Sequence, residues 1–254
     1  IGGHMGGYRD DELATRWLQL GVFSPIMRLH SQNGLFTSKE PWLYRPEFTE
    51  VMKKFLQFRH RLIPYLYTAN CASREVDEPV VQPLYWRYHE RDEAYGNPNQ
   101  YYCGSELVVA PIVKPRDKRT NHGVVDVWVP PGRHVDLFTG VIYDGDREIT
   151  MHRSVKSLPV LAPEGAIVPL DRDLTPNNGG DNPTESEGLG GVGDDGQFTS
   201  REDSGDRKTH SSEQTSIKPY RLGYNKKGGS LQVDAGDKEW IFKFVSLLKV
   251  PTGF

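Results

Sequence analysis

Apolar residues recur every three or four positions in two stretches near the start of the chain. Leu13, Trp17, Leu20 and Gly21 follow Asp10, Asp11 and Glu12, so residues 10–22 are predicted to form a helix whose acidic first turn complements the helix dipole. Phe23 to His30 is a short apolar run broken by Pro25 and reads as a strand or barrel-lining segment. After a polar loop containing Asn33-Gly34, a second helix is predicted from Pro46, since proline suits a first helical turn. Phe48, Val51, Met52, Phe55, Leu62, Ile63 and Leu66 make up its buried face, and Pro64 should kink or end it. Pro79 to Tyr88 reads as a buried strand, so the first ninety residues alternate helix and strand in the α/β manner.

The pattern then changes to short apolar or alternating runs separated by turns. Ser105–Val113, Val124–Val129, Val135–Phe138, Val141–Tyr143, Glu148–Met151, Leu158–Leu161 and Gly165–Leu170 are divided by Pro130-Pro131-Gly132, Thr139-Gly140 and Asp144-Gly145, the spacing of a β-sandwich. From Asp171 to Ser216, eleven acids face four bases and few large apolar residues occur, which predicts a mobile or loosely held linker. Residues 217–254 recover apolar character at Trp240, Ile241, Phe242, Phe244 and Val245, enough for a strand or two that need a partner surface.

Composition narrows the function. A net charge of −3 supplies no basic field for nucleic acid and no polybasic membrane signal, and no apolar run approaches a membrane span. The two cysteines, Cys71 and Cys103, can form neither a disulfide framework nor a four-ligand zinc site. Histidines do not occur at His-x3-His spacing and there is no Gly-x-Ser-x-Gly elbow, so a catalytic metal and a serine nucleophile are not expected. Glycines 2, 3, 6 and 7 lack the Gly-Lys-Ser/Thr of a phosphate loop. The turns Asp194-Asp195 and Glu202-Asp203 do not match a calcium loop and read as solvated.

Several runs resemble glycoside hydrolase family 31, the family of α-glucosidases and α-xylosidases. They are Ile1-Gly2-Gly3-His4-Met5, Asp11-Glu12-Leu13, Arg16-Trp17-Leu18-Gln19-Leu20-Gly21, Phe23-Ser24-Pro25-Ile26-Met27-Arg28-Leu29-His30 and Glu40-Pro41-Trp42. Arg59-His60-Arg61-Leu62-Ile63-Pro64-Tyr65-Leu66-Tyr67-Thr68 and Cys103-Gly104-Ser105-Glu106-Leu107-Val108-Val109-Ala110-Pro111 continue the likeness in order. The resemblance implies an α/β plus all-β fold: the C-terminal part of a (β/α)8 barrel followed by a β-sandwich and a degenerate distal β-domain. On that reading residues 1–88 are barrel, 89–170 proximal β-sandwich, 171–216 polar acidic linker or degenerate hairpin, and 217–254 a distal remnant. The departure from the family lies at Thr199 and Ser200, where apolar strand residues are expected.

The resemblance also implies retaining hydrolysis of α-glycosidic bonds by two aspartates, a nucleophile and a general acid/base. In the family both lie on strands ahead of the segment that this sequence matches, so both are expected upstream of Ile1, and the chain alone is then expected to be inactive. One substrate-binding position carries over: His30 matches the family histidine that hydrogen-bonds the sugar, at a strand end facing the pocket. Trp42, on the following loop, offers an apolar ring face to a sugar. His4 reads more readily as loop packing than as a pocket residue. Arg28 is equally placed to pair across barrel strands or to touch substrate, and Arg59, His60 and Arg61 read as a solvated or ion-paired helix face. The expected partner is an α-linked oligosaccharide or glucoside, with no nucleic acid, membrane, cofactor or metal; a non-catalytic carbohydrate-binding or structural β-module with a vestigial barrel is the alternative.

Overall fold

The computed structural model describes residues 1, 9–31, 37–174, 182–191, 193–203, 218–227, 230–234 and 239–245. Asp10 caps the first helix, α1 (Asp11–Val22), by accepting the Leu13 N–H at 2.9 Å. The buried side of α1 carries Ala14, Thr15, Arg16, Leu18, Gln19 and Val22, whereas Leu13 and Trp17 stand at the surface. Helix α2 (Pro46–Arg61) ends at Leu62, and α3 (Ile63–Glu75) takes Pro64 into its first turn. That break changes the helical phase. Phe48, Val51, Met52, Phe55, Leu62 and Leu66 are buried as expected, but Ile63 is 46% exposed and Tyr65 turns inward instead.

Two strand predictions in this region are corrected. Phe23–His30 forms no strand: Arg59 takes the carbonyls of Ser24 and Pro25 and Lys39 that of His30, so these do not enter a ladder. Pro79–Tyr88 yields only β1 (Val81–Pro83) and a 3₁₀ turn, with Tyr85 and Trp86 exposed, since Pro83 lacks the N–H to continue a ladder. The alternation expected of the first ninety residues is therefore absent among the described residues. Helices come first, and β1 pairs antiparallel with β2 (Tyr101–Cys103).

The expected sandwich is present. A six-stranded sheet runs β1–β2–β3–β8–β5–β6, where β3 is Leu107–Val109, β5 Arg133–Asp136, β6 Ile142–Asp144 and β8 Val160–Pro163. A second sheet pairs β4 (Gly123–Val129) with β7 (Arg147–Arg153). Alternation along the central strands sorts their side chains. Tyr102, Val108 and Leu161 join Trp128, Val127 and Met151 between the sheets, whereas Cys103, Leu107, Val109, Val160 and Ala162 join the helices' core. With both faces covered, Leu107-Val108-Val109 is buried at every position. From the β5–β6 turn, Phe138 inserts among Phe23, Phe55 and Phe58 at ring distances of 6.4, 5.4 and 5.7 Å.

The 171–216 linker is also corrected: it contains β10 (Glu185–Gly191) and β11 (Gly196–Glu202). Its polar average conceals the buried run Ser186–Leu189, covered because β10 lies between β9 (Ile167–Asp171) and β14 (Glu239–Val245). Residues 217–254 give three strands where one or two were expected: β12 (Lys218–Asn225) and β13 (Ser230–Asp234) complete a sheet with β11. The remainder of the expected linker, residues 175–181, 192 and 204–216, lies outside the described residues.

One buried ionic group ties this region to the helices. Glu187 Oε2 lies 3.1 Å from the Arg61 guanidinium and 2.8 Å from Lys243 Nζ, and Arg61 Nε donates to the Asp171 carbonyl at 2.9 Å. Two cations around a buried carboxylate make Glu187→Gln expensive, since the cations lose their counter-charge. We expect urea unfolding to report a loss of about 3 kcal/mol; a loss under about 0.5 kcal/mol would show the cluster to be energetically idle.

Candidate functional site

The predicted site residues lie where the helix–helix connections gather. His30 ends the segment leaving α1, and Trp42 stands in a single 3₁₀ turn, Pro41–Leu43, just ahead of α2. Both side chains are exposed, Trp42 by 73%. The position of the segment is set first at its root. Besides Arg59, which gathers the carbonyls ending α1, Ser24 Oγ donates to the Leu20 carbonyl at 3.0 Å. Arg59 thus leaves the solvated helix face expected of it and acts as a side-chain cap.

At the far end of the segment, the His30 N–H donates to the Ile1 carbonyl at 3.2 Å and the His30 carbonyl accepts from Lys39 Nζ at 2.6 Å. The Arg28 guanidinium meets His30 Nδ1. A guanidinium only donates, so in this contact Nδ1 is the acceptor. Arg28 thus contacts the His30 ring, which is neither the pairing across barrel strands nor the substrate contact expected of it.

The Trp42 turn is pinned separately. Arg9 donates to the Leu43 carbonyl and lies over the Tyr44 ring at 4.2 Å. Arg45 Nε donates to Asp11 Oδ2 at 2.8 Å, and the Thr49 hydroxyl lies 2.9 Å from the Pro41 carbonyl. Lys39 connects the two halves: it precedes Trp42 by three residues and holds the His30 backbone. Nothing in the residue pattern singled out Lys39 or Arg9, because a lone basic residue beside a turn looks solvated until its partner carbonyl is known.

Carboxylates near this region act as anchors. Asp11 faces Arg9 and Arg45, Glu12 lies 3.8 Å from Arg16 and 3.7 Å from Arg116, and Glu47 lies 2.6 Å from Arg116. The hydrogen bond from Arg116 holds the Glu47 carboxyl below its ordinary range. A general acid needs the opposite shift. Burial does raise Glu106, but that carboxyl, in the β2–β3 turn, is spent on the start of β9, where Oε2 accepts the Ile167 N–H at 3.2 Å. In the same turn Gly104, at φ +63°, leaves room for the Tyr65 hydroxyl, which a Cβ would meet at 2.5 Å. That hydroxyl donates to the Cys103 carbonyl at 2.6 Å, explaining the Cys103-Gly104-Ser105-Glu106 run structurally.

Two larger grooves exclude both predicted residues. One of 550 Å³ lies between Leu13, Trp17 and Leu20 of α1 and the Pro111–Pro115 loop; another of 540 Å³ lies behind the Trp42 turn among Arg9, Arg45, Phe48 and Arg116. Among the described residues no three His, Cys, Asp or Glu side chains gather to hold a metal, and no helix is long and apolar enough to cross a membrane. His4, the glycines at 2, 3, 6 and 7 and the Asn33-Gly34 loop lie outside the described residues. Asp195 and Asp203 are engaged, by the Lys226 N–H at 2.7 Å and by the Tyr67 hydroxyl respectively.

Both cysteines are buried and free. Burial pushes the Cys103 thiol up to about 12 and raises Cys71 as well, so each stays protonated and poorly nucleophilic. At about pH 8 the folded chain should react with a thiol reagent at least about a hundredfold more slowly than the chain in guanidinium. Rapid labelling of either thiol in the folded chain would contradict this burial.

Comparison with known proteins agrees along most of this length. The family model described as "Glycosyl hydrolases family 31 TIM-barrel domain" matches residues 1–69, and "Glycosyl hydrolase family 31 C-terminal domain" matches residues 77–168. The chain is 29% identical over 172 residues to alpha-glucosidase 2 of Bacillus thermoamyloliquefaciens, covering 66% of this chain and 21% of the relative. It is 27% identical over 160 residues to an alpha-xylosidase of Saccharolobus solfataricus, covering 63% and 21%. Among solved structures, the GH31 alpha-xylosidase of Xanthomonas citri superposes with TM-score 0.76 at 24% identity over 93% of this chain and 26% of its own. The GH31 dextranase of Flavobacterium johnsoniae, complexed with isomaltotriose, gives TM-score 0.77 at 24% identity over 92% and 29%. These structures share the fold, and the chain spans about a fifth of the length of the curated relatives.

Proposed function

Because the chain belongs to glycoside hydrolase family 31, with the barrel model and the C-terminal model matching in consecutive order, we propose that it forms the C-terminal portion of a retaining α-glycosidase. An α-glucosidase is the first reading and an α-xylosidase the second, since named relatives of both kinds match at similar identity. Retention requires two carboxyl groups about 5 to 5.5 Å apart across the scissile bond. Asp11 and Glu47 are each held by an arginine; as the family resemblance implies, the nucleophile and the acid/base are assigned to the part of the barrel upstream of Ile1.

This chain's share of the work is to bind and orient the sugar. His30 Nε2–H donates to a sugar hydroxyl while Nδ1 stays with Arg28, and the exposed face of Trp42 covers the apolar face of a pyranose. What supports this reading is that His30 and Trp42, both exposed, lie on the one connection between α1 and α2, whose backbone is anchored by Lys39 at His30 and by Arg9 at Leu43. Such a ligand strengthens binding wherever the hydroxyl position is held, and accelerates reaction only where it fits the transition state better.

The chain alone is expected to show no turnover of a chromogenic α-glucoside. In a polypeptide extended upstream by the rest of the barrel, His30→Ala should lower kcat/KM by about 10- to 100-fold, the value of a hydrogen bond to the substrate. Turnover by the chain alone, or unchanged kinetics in the His30→Ala enzyme, would overturn the assignment.

A further inference from the structure

Lys39 is 5% exposed, an uncommon state for a lysine, and burial lowers its pKa. Its ammonium lies 2.6 Å from the His30 carbonyl, so the hydration lost on burial is replaced by a charge-assisted hydrogen bond to the backbone. The residues on either side of this bond are exposed: His30 ends one segment and Trp42 occupies the next turn. The turn is fixed at its other end by Arg9 on the Leu43 carbonyl and by Arg45 on Asp11. A buried cation that ties the backbone at His30 to the stretch just ahead of the Trp42 turn, with both neighbouring side chains exposed, adds little to a core. It is what a preorganised binding site requires, because the arrangement is then set before ligand arrives.

We propose that Lys39 is a positioning residue: anchored on the His30 carbonyl, it fixes the His30 imidazole and the Trp42 indole relative to each other. The role of those two groups as sugar ligands rests on the assignment made above; the anchoring itself does not. Lys39→Met keeps most of the side-chain volume and removes the donor, and Lys39→Arg restores a cationic donor.

NMR of the 254-residue chain tests the anchoring without any ligand. In Lys39→Met, the His30 ring and Trp42 indole resonances should shift and the order parameters at Ser31 and Trp42 should fall below about 0.6, with core methyl resonances unmoved. Lys39→Arg should recover the original spectrum. Unchanged His30 and Trp42 signals in Lys39→Met would overturn the proposal, and so would collapse of the whole spectrum, which would make Lys39 a folding residue. A titration with methyl α-glucoside then separates the two ideas: the unaltered chain should show a His30 response that weakens about tenfold in Lys39→Met. No response in the unaltered chain would remove the sugar-ligand assignment while leaving the anchoring, already read without sugar, in place.

Discussion

The architecture depends on a polar docking contact between α1 and the β-sandwich. Arg16 and Gln19, both buried, reach the loop after β7: Arg16 donates to the carbonyls of Ser157, at 2.9 Å, and Ser154, at 3.3 Å, and Gln19 Nε2 donates to that of Val155 at 2.7 Å. Arg16 Nη1 also meets Gln19 Oε1 at 3.1 Å, which orients both side chains. Burial depresses the Arg16 pKa to about 10 while Glu12 opposes the shift, so the guanidinium remains cationic at neutral pH. Gly123 allows this approach, since a Cβ there would stand 3.0 Å from Arg16 Nη2 and 2.7 Å from Ile112. Removing such a buried donor set strands several carbonyls at once, a far larger loss than that of a surface contact.

From that contact the remaining positions follow in order. A fixed α1 presents its terminal carbonyls to Arg59, which sets where the segment toward His30 begins. Phe23, at the root of the segment, is locked against Phe58 at 6.0 Å and against Phe138 from the sandwich. Lys39 then closes the connection to the Trp42 turn. The sandwich supports this from below because its larger sheet is covered on both faces. Asp136, fully buried, accepts the N–H groups of Phe138 and Thr139 and pairs with Arg153 at 2.6 Å, holding the turn from which Phe138 projects. The segment that carries His30 is thus placed by contacts that reach into two parts of the fold, the rigid support that the proposed sugar-binding role would require.

The sequence disclosed what local periodicity governs. The acids before Leu13, Pro46 and the Phe48–Phe55 stripe define helices whatever surrounds them, and the turns at Gly132, Gly140 and Gly145 divide the sandwich strands correctly. Where a tertiary partner decides, the pattern misled. Leu13 and Trp17 make the apolar stripe of α1, yet the buried face carries Arg16 and Gln19 beside Ala14, Leu18 and Val22, and those two are satisfied by carbonyls some 140 residues away. Glu187 looks like linker until Arg61 and Lys243 converge on it. The proposed ligand His30 was suggested by its motif and Trp42 by its place on the following loop, whereas the residues that anchor their backbone, Lys39, Arg9 and Arg59, were not legible, because a basic side chain carries no mark of the carbonyl it meets.

If the Arg16–Gln19 contact makes the helices and the sandwich one cooperative unit, native-state hydrogen exchange will show it directly. The amides of Leu18 in α1 and Val109 in β3 should open with the same free energy, and Arg16→Met should lower both by the same amount, about 2 to 3 kcal/mol. A fall at Leu18 with Val109 unchanged would mean that the helices open independently of the sandwich, and the account of how the site is held would fail.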